Sequence, residues 1–452
     1  MGTPAGSIFP QFRLIPKQKN GDSYMNKKNK LTALDRGWIL YDVGNSAFIL
    51  MVTTLVPIFF NALASSAGVH EDLYLSYWGY AGSICTILVA IIGPVCGAIA
   101  DRNNKRRIFM LCMLAGVVCC GLMGGMGNWI TFLAMFILAK VGFSSSIVFY
   151  DSMLPEITTS DRMDKISSMG YAYGYIGSVI PFAVCLVLVL MHDSFGITQS
   201  AAMTVAFLLV SLWWLLCSVP LLKGYTQTAY QAPTSEPIRD AFRQLYGTLK
   251  AARQEKHIFL YLLSFFFFID GVYTIIDMAT AYGTALGLDS TGLLLALLVT
   301  QIVAFPFAIV FGRLSARYDT GLLIKICIIA YTCITVFGIF LVSQWQFWLL
   351  AVLVGMFQGG VQALSRSYLG KIIPAERSGE FFGLMDIFGK GASFVGLLLV
   401  SLVSQLFAGT TVHVFGIQLQ NENLAVGSLI VLFIIGYVLF CKADRLNKER
   451  IA

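Results

Sequence analysis

Several polar and ionisable side chains fall inside stretches that are otherwise apolar for some twenty residues, and their spacing gives them a use. Asp42, Asn45 and Ser46 are three and four residues apart and share one helix face, as do Asp270, Tyr273, Thr274 and Asp277. Lys140 has Ser144 one turn further on, and Gln358, Gln362 and Arg366 step along a single stripe. Asp386 and Lys390 are four apart and opposite in sign, the pattern of an intrahelical ion pair. A charge at bilayer depth costs about 2.5–3.5 kcal/mol even on the mild insertion scale, so each of these groups needs a partner or a water-filled cavity. A cavity offering both signs suits a zwitterion, with Lys140 facing its carboxylate and Asp270 or Asp277 its ammonium. Asp42 stands close to Arg36, so a cap, gate or interhelical lock competes there with substrate contact. Proton coupling, where present, would use the carboxylates, because His70, His192, His257 and His413 all lie outside the apolar stretches. The sequence contains no metal-ligand cluster, Walker loop, dinucleotide fingerprint or nucleophile motif, so no metal, no cofactor and no catalytic role is expected.

The elements that must position these groups are membrane helices. The chain has 452 residues, 57% hydrophobic and 12% charged, against a typical charged share of about 25%. A bilayer core about 30 Å thick needs about 20 residues of helix, and twelve such segments run over 38–63, 78–100, 108–127, 129–151, 167–191, 201–223, 258–285, 291–312, 322–343, 345–370, 381–406 and 424–441. A barrel is excluded because these runs are apolar on every face, without a period of two. The expected fold is all-α and integral to the lipid bilayer.

A net charge of +7 does not point to nucleic acid, because of where it sits. Apart from Lys140 and Lys390, the other 29 Lys and Arg lie before the first segment, after the last, or in alternate connections at their edges. The connections holding His70, Glu71 and Asp72, His192 and Asp193, Asp289, and His413 and Glu422 have none. By the positive-inside rule both termini are cytoplasmic. The ten cysteines lie in apolar runs and read as small hydrophobes. Short loops without organelle-sorting signals favour a bacterial cytoplasmic (inner) membrane, and a monomer is expected.

The longest inner connection divides the chain into six helices and six. Residues 1–36 read as a cytoplasmic, disordered leader, 37–223 as the first bundle, 224–257 as a central loop, 258–441 as the second bundle and 442–452 as a tail. The stretch before Met25 differs from the rest, and MNKKNK beginning there would make a natural start. Within the loop, 241–256 has the pattern of a basic amphipathic helix at the membrane surface, in a linker that tethers the bundles. GAIADRNNKRR at 97–107 is echoed by GRLSARYDTG at 312–321, and PEITTSDR after helix 4 by PAERSGE after helix 10, which argues for duplicated architecture.

GAIADRNNKRR resembles the signature between helices 2 and 3 of the major facilitator superfamily, G-x-x-x-D-R-x-G-R-R, with Asn104 in place of the usual Gly. Asn tolerates unusual backbone angles, so the turn is expected to survive. The resemblance implies two pseudo-symmetric six-helix bundles with helices 1, 4, 7 and 10 lining a central cavity, the helices that carry the polar stripes. It also implies a cytoplasmic charge network holding the outward-open state, with Asp101, Arg102 and Arg106 as gate residues, joined by Asp151, Arg317 and Arg366. RGWILYDVGNSAF at 36–48, FYDSMLPEI at 149–157, GGVQALSRSYLGKIIP at 359–374 and EFFGLMDIFGKGASFVG at 380–396 resemble the vacuole-effluxer-like permeases, a branch of that superfamily. Where that family reads Tyr-Asp-Trp-Ala-Asn-Ser this chain keeps Asp42, Asn45 and Ser46 and loses the Trp. Fungal members export amino acids from the vacuole, so the resemblance implies alternating-access transport of an amino acid or related zwitterion, with Asp42, Asn45, Ser46, Lys140, Ser144, Asp270, Tyr273, Asp277, Gln358, Gln362 and Lys390 as substrate or coupling residues. Proton-coupled efflux of a drug-like compound is the alternative within transport. It is weakened because helix 5 has Gly174, Gly177 and Pro181 without the Gly-Pro pair of antiporters. A non-transporting sensor or scaffold is a third reading, and it predicts tolerance to neutralising Lys140.

Overall fold

The computed structural model describes residues 31–70, 73–102, 104–231, 255–407, 412–414, 417–419 and 421–451. The expected surface helix at 241–256 falls almost wholly outside these residues, as does most of the leader. Helices α1 (Ala33–Ser66), α2 (Tyr74–Ala100), α3 (Lys105–Met123), α4 (Trp129–Ile157), α5 (Met163–Leu190) and α6 (Gln199–Gly224) form the first half. The second comprises α7 (Lys256–Ala285), α8 (Ser290–Leu314), α9 (Thr320–Ile339), α10 (Gln344–Ile372), α11 (Ser378–Leu406), the short α12 (Asn421–Gly427), and α13 (Ile430–Ile451). Among the described residues, eleven helices are long and apolar enough to cross a membrane, and α11 contributes a shorter apolar stretch at Val395–Leu406. A two-stranded antiparallel hairpin, β1 (Val412–Val414) with β2 (Ile417–Leu419), links α11 to α12.

The helices begin where side chains can satisfy their free N–H groups. Thr32 and Asp35 form a capping box that starts α1 five residues before the apolar run. Asn128, Thr198, Asp289 and Asp319 cap α4, α6, α8 and α9. The chain leaves α1 and α7, the first helix of each half, through glycines with left-handed backbone, Gly68 at φ 75° and Gly287 at φ 74°. Such a residue closes the last turn where a Cβ would be strained.

Each half has its own core. Trp38, Tyr41, Phe48, Phe143 and Trp214 pack inside the first, and Tyr261, Phe268, Tyr331, Phe433 and Phe440 inside the second. Phe265 and Phe268 of the aromatic run at 265–268 belong to that second core. The outermost faces belong to α3, α6, α9 and α13, where Leu111 and Val118, Leu208 and Leu212, Ile326 and Ile329, and Val431 and Ile434 are exposed. Apolar stripes of this extent are solvated by lipid tails, not water. Between the halves, α5 packs on α8 and α10, and α11 on α2 and α4.

Candidate transport site

Three buried constellations join the halves at the end that carries the connections α2–α3, α4–α5, α8–α9 and α10–α11. The first centres on Arg366. Its Nη1 donates to Asp151 Oδ1 at 2.9 Å, its Nε to Ser167 Oγ at 2.9 Å and its Nη2 to Ser167 O at 2.9 Å, while Asp42 Oδ2 lies 3.5 Å from Nη2. The guanidinium also lies over the rings of Trp38 at 4.5 Å and Tyr171 at 4.3 Å. A planar fork with an aromatic face is a task for Arg and not Lys. Gly170 makes the approach possible: a Cβ there would sit 2.8 Å from Asp42 Oδ2 and 3.1 Å from Arg366 Nη2.

The second is built on the α2–α3 turn. Asp101 accepts hydrogen bonds from the backbone N–H groups of Gly379 at 2.9 Å and Glu380 at 3.0 Å, so a carboxylate of the first half occupies the positive N-terminus of α11. Burial pushes the Asp101 carboxyl above its ordinary range, against the pull of Lys105 and these N–H groups. Lys105, fully buried, donates to Glu156 Oε1 at 2.6 Å and Ser378 Oγ at 2.9 Å. Gly97 is required by close approach, since a Cβ would stand 2.5 Å from Gly379 O. Asn104 has φ −119°, an ordinary value, so this turn makes no demand for a left-handed residue and the missing signature glycine has no conformational cost. Arg106 and Arg317 are exposed and Arg102 half-buried; the cation within the turn network is Lys105, a residue the sequence reading passed over.

The third was not foreseen. Asp164 of α5 accepts from Lys371 Nζ at 2.5 Å, Thr320 Oγ1 at 2.6 Å and Ser367 Oγ at 2.6 Å, all in the other half. Its only sequence signal is an acidic residue just inside a helix start beneath the PEITTSDR echo.

Nearer the middle of the helices the groups are differently disposed. Lys140 of α4 and Asp277 of α7 act on each other electrostatically across the halves. Asp277 is exposed. Tyr273, one turn away, is within the fields of Asp277, Asp386, Asp151 and Arg366. Tyr175 OH donates to Gln362 Oε1 at 3.2 Å, whereas Gln358 is buried with an unpartnered Oε1. Asn45 donates to Tyr41 O at 3.1 Å and to Asp42 Oδ1 at 3.4 Å; Ser46 is half-buried against Gly174, and Ser144 is buried. Asp270 lies on the same helix as Asp277, two turns earlier. It is fully buried, its Oδ1 accepts from Gly396 N at 2.9 Å and Thr274 Oγ1 at 3.3 Å, and its Oδ2 has no hydrogen-bond partner. The side chain of Lys390 lies outside the described residues. No group of three or more metal-ligating side chains occurs among the described residues.

The family profile described as "Vacuole effluxer Atg22 like" matches residues 71–449. The chain is 38% identical over 416 residues to the uncharacterized MFS-type transporter YxiO of Bacillus subtilis strain 168, covering 91% of this chain and 94% of that protein. It is 25% identical over 352 residues to autophagy-related protein 22 of Kluyveromyces lactis, covering 73% and 66%. In fold it is similar to the human organic anion transporter MFSD10 (TETRAN), with a TM-score of 0.67 at 14% identity over 90% and 98% of the two chains. It is equally similar to the transporter FucP in its outward conformation, with a TM-score of 0.67 at 12% identity over 91% and 97%. The architecture is the major facilitator fold.

Proposed function

Because the chain belongs to the vacuole effluxer Atg22-like family of major facilitator transporters, we propose that it carries a small zwitterion, of the amino-acid class, across a cytoplasmic membrane by alternating access. The observation that supports this reading is that Lys140 of α4 and Asp277 of α7, a cation and a carboxylate from opposite halves, stand within each other's electrostatic field. Each half contributes one charge to the shared space, and the two signs match the two ends of an amino acid. A solute bridging them replaces their mutual attraction with its own, giving the halves a reason to close only when it is present.

With both termini cytoplasmic, the three constellations form the cytoplasmic gate, and the state described is closed on that side. Arg366, Asp101 and Asp164 each tie one half to the other there. Exposure of the cavity to the cytoplasm requires all three to part. Asp270 is the coupling group: a buried carboxylate oxygen without a donor is tolerated as a protonated carboxyl far better than as an anion.

The test is counterflow in proteoliposomes, with amino acids, peptides, sugars and hydrophobic organics as separate arms, on the parent protein beside Lys140→Ala and Asp277→Asn. Exchange of an amino acid that falls at least about tenfold in both variants, equivalent to about 1.4 kcal/mol of lost binding, supports the reading. Exchange of hydrophobic organics alone, or no change on neutralising Lys140, overturns it.

A further inference from the structure

The chain does not leave the first half freely after α6. Residues 225–231 turn back and lie along the gate. Tyr225 OH donates to Glu156 Oε1 at 3.0 Å, and the N–H groups of Thr228 and Ala229 donate to Glu156 Oε2 at 2.8 and 3.2 Å. Gln227 Oε1 accepts the Lys105 N–H at 3.0 Å, one of the first-turn donors of α3 that has no partner within the helix, and its Nε2 donates to Ala100 O at 3.1 Å. The Gln231 N–H donates to Asp101 O at 2.7 Å, and its side chain reaches Glu376 O of the other half at 3.4 Å.

Every one of these bonds ends on a residue of the α2–α3 turn, on Glu156, or across the interface. Glu156 is the acceptor that orients the Lys105 ammonium, and that ammonium donates to Ser378 of α11. We infer that residues 225–231 are a strap that holds Lys105 and the Asp101 turn in register with α11, so that the linker between the halves is itself part of the gate and favours the joined state. The inference rests on the alternating-access reading, since a strap on a gate matters only if the gate opens.

Ser168 offers a readout that needs no substrate. It is fully buried, its Oγ has no hydrogen-bond partner, and it packs against Gly312 of the other half. In Ser168→Cys protein in liposomes, reaction with a membrane-permeant maleimide, followed by mass spectrometry of the peptide containing position 168, reports separation of the halves. Cys120, fully buried inside the first half, serves as the internal control for unfolding. Adding Gln227→Ala and Gln231→Ala should accelerate labelling at 168 by about tenfold, the scale of one or two net hydrogen bonds, while Cys120 labels as before. An unchanged rate at 168, with or without a lower melting temperature, overturns the strap, as does equal acceleration at both sites. If position 168 never labels in the parent, the halves do not part there, and the alternating-access reading fails and takes the strap with it.

Discussion

Arg366 donates to Asp151 at 2.9 Å and so fastens α10 of one half to α4 of the other through a bond whose guanidinium is buried and whose carboxylate is half-buried. Breaking such a pair by removing one partner leaves a buried charge uncompensated, at about 3–5 kcal/mol. Arg366→Ala should lower thermal stability by that order in the joined state. Arg366→Lys should retain less than half of the lost stability, because an ammonium cannot bond Asp151 and Ser167 together while lying over Trp38. Thermal melting of the two variants in detergent checks the ranking, and equal stability of Lys and parent would refute it.

Gly97→Ala should weaken the joined state without touching any charge. The added methyl meets the Gly379 carbonyl, which is helix backbone and cannot swing aside. Overpacking of this sort costs about 1–3 kcal/mol. The matched observation is faster thiol labelling at position 168 in a Ser168→Cys background, with the signal of Cys120 steady.

Asp101 sets a pH dependence whose sign is fixed by its environment. Burial raises its carboxyl above the ordinary 3.8, so the folded chain binds this proton more tightly than the unfolded chain does. That contribution is complete below the ordinary value and is lost as pH rises through the raised one. The difference in melting temperature between parent and Asp101→Asn, measured from pH 4 upward, should therefore shift against the parent across that window. A difference independent of pH would exclude Asp101 as its source.

Asp270→Asn separates coupling from binding. The amide keeps the bonds to Gly396 and Thr274 through its oxygen and cannot release a proton. Uptake driven by a proton gradient should be lost while substrate counterflow persists; loss of both would assign Asp270 to substrate contact instead.

The membrane helices were legible because twenty apolar residues in a row have few uses, and the polar stripes because i, i+3 and i, i+4 spacings fix a helix face. The start of α1 was not: Leu34, Asp35 and Arg36 look like loop until the Thr32 and Asp35 caps are seen. Periodicity also says nothing about which face meets which across two halves. Asp164 and Lys371 are partners that only the packing of α5 on α10 brings together. Lys105 was overlooked for a related reason: neighbouring cations in RNNKRR are alike in sequence, and only the helical phase of α3 turns one inward and leaves Arg106 outside.

The donors that hold Asp101 are main-chain N–H groups, and this shapes what heredity can do with the lock. No side-chain replacement at Gly379 or Glu380 other than proline deletes those donors, although a Cβ at 379 would crowd Asp101 Oδ1 at 2.7 Å. A compensating change for a lost Asp101 therefore cannot arise by charge reversal at its contact point on α11. Suppressors selected against an Asp101 defect should map to other joints of the same face, such as the Asp164 or Arg366 clusters, or to the strap, and not to the first turn of α11.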